Sequence, residues 1–269
     1  MIYYKTNEEI ELMRESNLLV SKTLAYIGGL LKVGETGKTV DKKAESFIRD
    51  HGGIPAFKGY RGFPASLCMS LNDAVVHGIP SEKAFSESDL VSIDCGVVLN
   101  GFYGDAAFTF AFQNVSDDSK KLLRVTREAL VKGVEAAIVG NRIGDISFAI
   151  QSFCERVHGY GIVRELVGHG VGRALHEDPE VPNFGVKGKG PLLKEGIVIA
   201  IEPMVNMGSK SVKQLNDGWT ILTRDGKPSA HFEHSVAVKK NGPDVLSDHS
   251  LIDLEVKNNP EIVDISINF

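Results

Sequence analysis

Apolar residues near the start of the chain recur at the three- and four-residue spacing of amphipathic helices. The first such pattern begins near Asn7, where Thr6 or Asn7 can cap a helix whose first turn is acidic. A second pattern covers residues 40–48 and stops at a pair of glycines. Over residues 66–112 the spacing changes to the period-two alternation of strands, with turn signals inside the segment. The first half therefore predicts two helices followed by paired strands.

The same order of elements returns in the second half. Helical spacing covers residues 116–137 and 146–157, and strands are predicted at residues 197–201, 219–223 and 229–238. Adding 106 to the first-half numbers aligns Val33-Gly34 with Val139-Gly140 and Val40 with Ile146. This repetition favours a duplicated α+β unit, with halves near 1–115 and 116–241 whose sheets pack together beside a cleft.

Residues 242–269 differ from the rest of the chain. Gly242-Pro243 breaks the last predicted strand, and an acidic stretch with scattered apolar residues follows. We treat residues 1–241 as one domain and the remainder as a C-terminal tail of unassigned role.

Composition and charge exclude several classes of protein. The chain has 269 residues, with 30 Lys and Arg against 35 Asp and Glu and no long basic run, so nucleic acid and membrane are not expected partners. Three widely spaced cysteines do not indicate a disulfide framework or a thiolate zinc site. Neither a signal peptide nor a membrane-spanning stretch is recognisable, and the expected location is the cytoplasm.

Two aspartates fall on one predicted hairpin. If Asn100-Gly101 forms a type I′ turn, paired residue numbers sum to 201, so Asp94 opposes Ala107 and Asp105 opposes Gly96. The two carboxylates then lie diagonally on one face, roughly 7–8 Å apart at the backbone, and can reach one cation. A register shift of one residue would place them on opposite faces.

Three further segments offer ligand-type side chains. His169 lies between two glycines, and Glu202 closes an apolar strand just before a proline. In the segment AHFEHSVAV, period-two alternation puts His231, Glu233 and Ser235 on one face. Each signal alone also fits ordinary packing or a solvated carboxylate. Together, four carboxylates and one imidazole suit two divalent cations bridged by carboxylates and water, a site that activates water for amide hydrolysis.

The segments GHGVGRALH, AIEPM, FEHSVAV and NDAVVHGIP, with the aspartate hairpin, resemble the type I methionine aminopeptidases. The resemblance runs in order through nearly all of residues 1–241. It implies the duplicated "pita-bread" α+β fold, in which two pseudo-symmetric halves contribute antiparallel sheet and flanking helices. It also implies a metallo-exopeptidase that removes the initiator methionine when the second residue is small. Expected substrates are peptides and nascent chains with N-terminal methionine, and the expected state is a monomer; contact with the ribosome stays open.

The resemblance also assigns roles to residues. It implies that the metal ligands are Asp94, Asp105, His169, Glu202 and Glu233, holding two divalent ions of Co, Mn, Fe or Zn. A metal-bridging water, deprotonated with help from Glu202, would attack the scissile carbonyl; His176 would stabilise the oxyanion and His77 would contact the scissile amide. The positions that match the methionine pocket, each also explicable as core packing, are Tyr60, Phe63, Cys68, Leu175, Met204 and Trp219.

Some positions depart from the family pattern. Ala106 and Gly96 stand where hydroxyl residues are frequent, His231 where Gln is frequent, and Leu166 and Leu175 where Met or aromatic residues are frequent. These changes affect the expected pocket shape, metal preference and rate, but they remove no ligand. Two alternatives remain: a non-catalytic binding protein on the same fold, and an X-Pro peptidase.

Overall fold

The computed structural model describes residues 1–266 and contains five α-helices in that part of the chain. The helices are α1 (Asn7–Leu30), α2 (Gly37–Asp50), α3 (Asp117–Glu135), α4 (Ile143–Gln151) and α5 (His249–Asn258). Thr6 caps α1 in a capping box with Glu9, and Ser116 caps α3. The helix predicted at 146–157 begins earlier, at Ile143, and its last part, Ser152–Val157, is a π-helical turn.

Strands of two to ten residues form four antiparallel sheets. The strands are β1 (Ile54–Pro55), β2 (Leu67–Leu71), β3 (Ala74–Val76), β4 (Leu90–Leu99), β5 (Phe102–Ala111), β6 (Gly161–Ile162), β7 (Gly168–Gly170), β8 (Glu177–Val181), β9 (Val198–Ile201), β10 (Met204–Asn206), β11 (Val212–Gln214), β12 (Ile221–Thr223), β13 (Ser229–His231), β14 (His234–Lys239) and β15 (Gly242–Val245).

The β4–β5 hairpin has the predicted register. Leu99 pairs with Phe102, Asp94 with Ala107, and Gly96 with Asp105. Asn100 and Gly101 both have positive φ, 54° and 78°, as a type I′ turn requires. β1 and β2 pair with β4, so this hairpin is the centre of the first-half sheet.

The prediction of one continuous strand at 229–238 is wrong. β13 ends at His231 and pairs with β10, whereas β14 begins at His234 and pairs with β9 in a five-stranded sheet. Between them the Glu233 amide donates to the Ala107 carbonyl at 3.0 Å, a bond across to the first-half hairpin. The chain changes sheets at this point because its backbone bonds to the other half rather than continuing one ladder.

Equivalent turns in the two halves show the duplication. Thr36 bridges to Ala84 and, 106 positions later, Arg142 bridges to Leu192. The Gly34 amide donates to the Phe85 carbonyl at 3.0 Å, and the Gly140 amide donates to the Leu193 carbonyl at the same distance. Both glycines have a positive φ, 86° and 94°. The two halves are therefore folded from related units, as the sequence repeat predicts.

One continuous core joins the helices to the sheets. Leu24 and Ile27 of α1, Ile48 of α2 and Phe108 of the hairpin are buried in one cluster, to which residues from both halves belong. Within the described residues, no helix has the length and apolar character needed to cross a membrane.

The C-terminal segment packs onto the rest of the chain. β15 pairs with β14 after a short turn at residues 240–241, so the chain reverses there and continues as a strand. Ile252 and Val256 of α5 join the main core. Arg127 of α3, 1% exposed, forms an ion pair with Asp253. The tail predicted at 242–269 thus contains ordered structure through residue 266, and its last three positions lie outside the described residues.

Candidate metal centre

The five predicted ligand residues come from both halves and face one another. Asp94 and Asp105 project from neighbouring strands of the hairpin, Glu202 follows β9, and Glu233 occupies the break between β13 and β14. His169 Nε2 lies 3.8 Å from an oxygen of Asp105 and 3.6 Å from an oxygen of Glu202. One ligand atom from each of Asp105, His169 and Glu233 lies within 4.8 Å of the others. The residues therefore surround a common space of cation size.

Hydrogen bonds from other elements hold the backbone at two of the predicted ligands, Asp105 and Glu202. The Asn17 side chain of α1 accepts from the Asp105 amide at 3.1 Å, and the Ser235 hydroxyl donates to the Asp105 carbonyl at 2.9 Å. The Asn183 side chain donates to the Glu202 carbonyl, also at 2.9 Å. These contacts fix the backbone from which the two carboxylates project, and a preorganised metal site needs such support.

The tautomer of His169 follows from its neighbour. Its Nδ1 lies 2.9 Å from the Gly170 carbonyl oxygen, which can only accept, so Nδ1 carries the proton. The Nε2 lone pair then points toward Asp105 and Glu202. This is the form in which histidine binds a metal.

The carboxylates lack the partners that would neutralise them. Asp94 Oδ1, Asp105 Oδ1 and Glu233 Oε1 are buried without a hydrogen-bond partner in the described structure. Burial raises the pKa of Asp94 and of Glu202 to about 7, against the opposing effects of His231 and His169 respectively. Burial, followed by the charges of neighbouring carboxylates, also raises the pKa of Asp105 and Glu233. Divalent cations would satisfy these orphaned oxygens, and the donor set fits them.

A cavity of about 290 Å³ opens beside the carboxylates, and every site residue predicted from the sequence lines it. These residues are Tyr60, Phe63, Cys68, His77, Asp94, Asp105, His169, Leu175, His176, Glu202, Met204, Trp219 and Glu233. Phe63 and Trp219 meet edge to face with ring centroids 5.1 Å apart. One end of the cavity is therefore carboxylate-rich and the other largely apolar.

Two histidines lie between these ends. Burial lowers the pKa of His77 to about 4 and that of His176 to about 3, so both rings are neutral at neutral pH. The Tyr60 hydroxyl lies 2.8 Å from His176 Nδ1. The His176 ring is 4.2 Å from the ring of His169, which joins this position to the carboxylate cluster.

Sequence reasoning missed five residues that also line the cavity: Phe57, Arg61, Val76, Glu165 and Val167. Phe57 packs beside Gly96, since a Cβ at Gly96 would lie 2.5 Å from the Phe57 ring, but neither residue alone indicates this contact in the sequence. The ring thus fills space that a larger residue at position 96 would need. For Arg61 we find no sequence signal.

His231 has a place in the site that the sequence did not assign. Its ring is 1% exposed and its Nε2 lies 3.5 Å from Glu202 Oε2, the oxygen that does not face His169. Glu202 is therefore flanked by an imidazole on each side.

A cluster of four carboxylates and an imidazole, adjoining a pocket with two neutral histidines, defines the active centre of a metal-dependent hydrolase. The family model for metallopeptidase family M24 matches residues 11–240. A methionine aminopeptidase of Clostridium perfringens is 52% identical over 247 residues, covering 92% of this chain and 99% of that protein. Methionine aminopeptidase 1 of Bacillus subtilis is 49% identical over 247 residues, with the same coverage.

The crystal structure of methionine aminopeptidase from Rickettsia prowazekii superimposes with a TM-score of 0.90 at 39% identity, covering 92% of this chain and all of that one. The chain belongs to metallopeptidase family M24, and its branch of the family is that of the methionine aminopeptidases. The family, fold class and enzyme class expected from the sequence are confirmed.

Proposed function

We propose that this enzyme hydrolyses the peptide bond after an N-terminal methionine when the second residue is small, using two divalent cations of Mn, Fe, Co or Zn. The observation that carries the proposal is a single cavity with orphaned carboxylate oxygens at one end and an apolar pocket at the other. The family branch supports the same activity.

Asp94, Asp105, His169, Glu202 and Glu233 would hold the cations. When bound, such ions lower the pKa of water and polarise a carbonyl oxygen. Oxygen-rich ligands with one histidine accept several divalent ions, and their supply in the cell selects among them.

The chain's own residues would then move the protons and bind the reacting groups. Glu202 would accept the proton of the attacking water, because it is a buried carboxylate that lines the cavity between His169 and His231. The neutral His176 would donate a hydrogen bond to the oxyanion from Nε2 while Tyr60 occupies its Nδ1. His77 would contact the scissile amide and assist the leaving amine.

Methionine suits the pocket by shape and chemistry. Phe63, Cys68 and Leu175 belong to one apolar cluster with Trp219 beside it, and Met204 belongs to a second cluster. The unbranched thioether side chain can enter between such clusters and contact aromatic rings. Action on nascent chains would require a cytoplasmic enzyme, and we propose a monomer, since the site is completed within one chain.

Methionine release by chelator-treated protein, with Mn, Co, Fe or Zn added back, tests the proposal. Met-Ala-Ser should be cleaved only with metal, while Ile-Ala-Ser and Met-Leu-Ser should not be cleaved. Release of the first residue from Ala-Pro in preference to Met-Ala-Ser would favour an X-Pro peptidase. Folded protein that releases nothing with any metal would instead favour a non-catalytic binding protein.

A further inference from the structure

A second, larger opening of about 840 Å³ continues from the metal-site cavity to the protein surface. The two spaces share Arg61, Val167, His169 and His176 as lining residues. The outer space, which we call the exit groove, is also lined by Tyr3, Tyr4 and residues around Glu177. Because the inner cavity has room for little more than one side chain, the rest of a bound peptide would leave along the exit groove.

Most charged groups of the exit groove are already paired. Lys5 forms a buried ion pair with Glu177 at 2.5 Å, and Arg173 pairs with Glu9 at 3.1 Å. Arg61, in contrast, is exposed and forms neither an ion pair nor a donated hydrogen bond with any of residues 1–266. Its guanidinium lies 5.4 Å from the centroid of the Tyr60 ring, and its charge helps lower the pKa of His176. An unpaired cation thus lies where the cavity meets the groove.

The backbone at Arg61 is unusual. Its φ of 49° and ψ of 23° lie in the left-handed region, which costs a non-glycine residue about 1 kcal/mol. Glycines flank the turn at positions 59 and 62, both with positive φ. Among the described residues, the only other one with positive φ that is neither glycine nor asparagine is His77, which also lines the cavity. Residues held in such costly backbone conformations are concentrated at functional sites, which supports a functional role for the Arg61 side chain.

We propose that Arg61 determines specificity beyond the second residue of the substrate, by binding a carboxylate at the third or fourth position of the peptide. This inference rests on the proposed aminopeptidase function. An exposed guanidinium–carboxylate pair favours acidic peptides by about three- to fivefold in kcat/KM at low salt. Screening by salt should remove most of that preference.

The experiment compares metal-loaded enzyme on Met-Ala-Asp-Ser, Met-Ala-Ser-Asp, Met-Ala-Asn-Ser and Met-Ala-Lys-Ser, all amidated to remove the terminal carboxylate. The variants are Arg61→Asn and Arg61→Lys. Asparagine tolerates the left-handed backbone, so the loop keeps its conformation while the charge is lost. Lys58→Ala is the matched control, because Lys58 belongs to the same loop but pairs with Glu45 and lines neither space.

The expected result is a preference of about three- to fivefold for an aspartate peptide over Met-Ala-Asn-Ser, lost in Arg61→Asn, kept in part by Arg61→Lys and unchanged in Lys58→Ala. The readout is the ratio of the aspartate-peptide rate to the Met-Ala-Asn-Ser rate within each variant, so a uniform change in activity leaves it unaffected. Equal cleavage of all peptides by the unaltered enzyme, or an aspartate preference that survives in Arg61→Asn, would overturn the proposal for Arg61. Cleavage of no peptide by any form would count instead against the aminopeptidase function.

Discussion

Removal of the divalent cations should change how the stability of this protein depends on pH. Without cations, the pKa of both Asp94 and Glu202 is about 7, mainly because they are buried, against about 4 in an unfolded chain. Between these pH values the folded protein keeps protons that the unfolded chain has released. Each group therefore contributes stability below about pH 4 that is lost as pH rises through 7. Bound cations keep both groups ionised, so the loaded protein lacks this loss.

The size of the effect follows from the two pKa values. From pH 5.5 to pH 7.5 each group lowers the free energy of unfolding by about 2 kcal/mol, so the two together lower it by about 4 kcal/mol. At about 2–4 °C per kcal/mol for a chain of this size, the rise in Tm on metal loading should be about 8–15 °C larger at pH 7.5. Asp105 and Glu233, whose pKa values are also raised, act in the same direction.

Calorimetry on chelator-treated and Mn- or Co-loaded protein at both pH values measures this difference. Buried histidines with lowered pKa, including His77, His176 and His234, stabilise the protein as pH rises, but they do so in both forms. The matched control is Asp41→Asn. Burial also raises the pKa of Asp41, but this residue lies outside the metal site and its carboxylate accepts hydrogen bonds from two backbone amides. The metal-induced rise in Tm of this variant should match that of the unaltered protein. If metal loading raises the Tm of the unaltered protein by the same amount at pH 5.5 and at pH 7.5, the carboxylates do not cause the effect.

Three further substitutions have defined outcomes. Asp105→Asn should lower both the metal affinity, measured by calorimetric titration, and kcat/KM by more than about 100-fold, which is the upper range for residues that only support ligands. An unchanged circular dichroism spectrum serves as the control for folding. Full activity of this variant would contradict the ligand role. Gly96→Ala should lower the Tm by about 3–10 °C because its Cβ would meet Phe57 at 2.5 Å, and an unchanged Tm would mean that the ring moves freely. Asp253→Asn should lower the free energy of unfolding, measured with denaturant, by about 3–5 kcal/mol, because it leaves the buried charge of Arg127 without its partner. Replacing both Asp253 and Arg127 by apolar residues should lower the free energy of unfolding by less.

The hairpin that carries two of the proposed ligands could be derived from local rules alone. Asn100-Gly101 specifies a two-residue turn, and period-two alternation then places Asp94 and Asp105 on one face. The duplication was also visible, because equivalent turns need glycine at the same left-handed position. Such features depend on a few neighbouring residues, so they can be inferred without the rest of the fold.

Features that depend on contacts between the halves could not be inferred in this way. The strand break before Glu233 is set by its hydrogen bond to Ala107, more than a hundred positions away. Phe57 fills the space beside Gly96 through the pairing of β1 with β4, and neither residue alone indicates it. The left-handed backbone of Arg61 likewise depends on the fold of its loop, since arginine has no preference for that conformation.

The packing of α5 against α1 has a consequence for the order in which this protein can fold during its own synthesis. The Asn259 side chain donates to the Gly28 and Leu31 carbonyls, which the helix leaves unpaired at its end, and the Ser21 hydroxyl accepts from the Asp248 amide. More than 200 residues separate α1 from α5 in the chain, so a ribosome makes α1 long before α5 exists. During that interval the part of α1 that contacts α5 in the finished fold has no native partner. The contacts at the end of α1 can therefore form only after α5 and Asn259 have been synthesised.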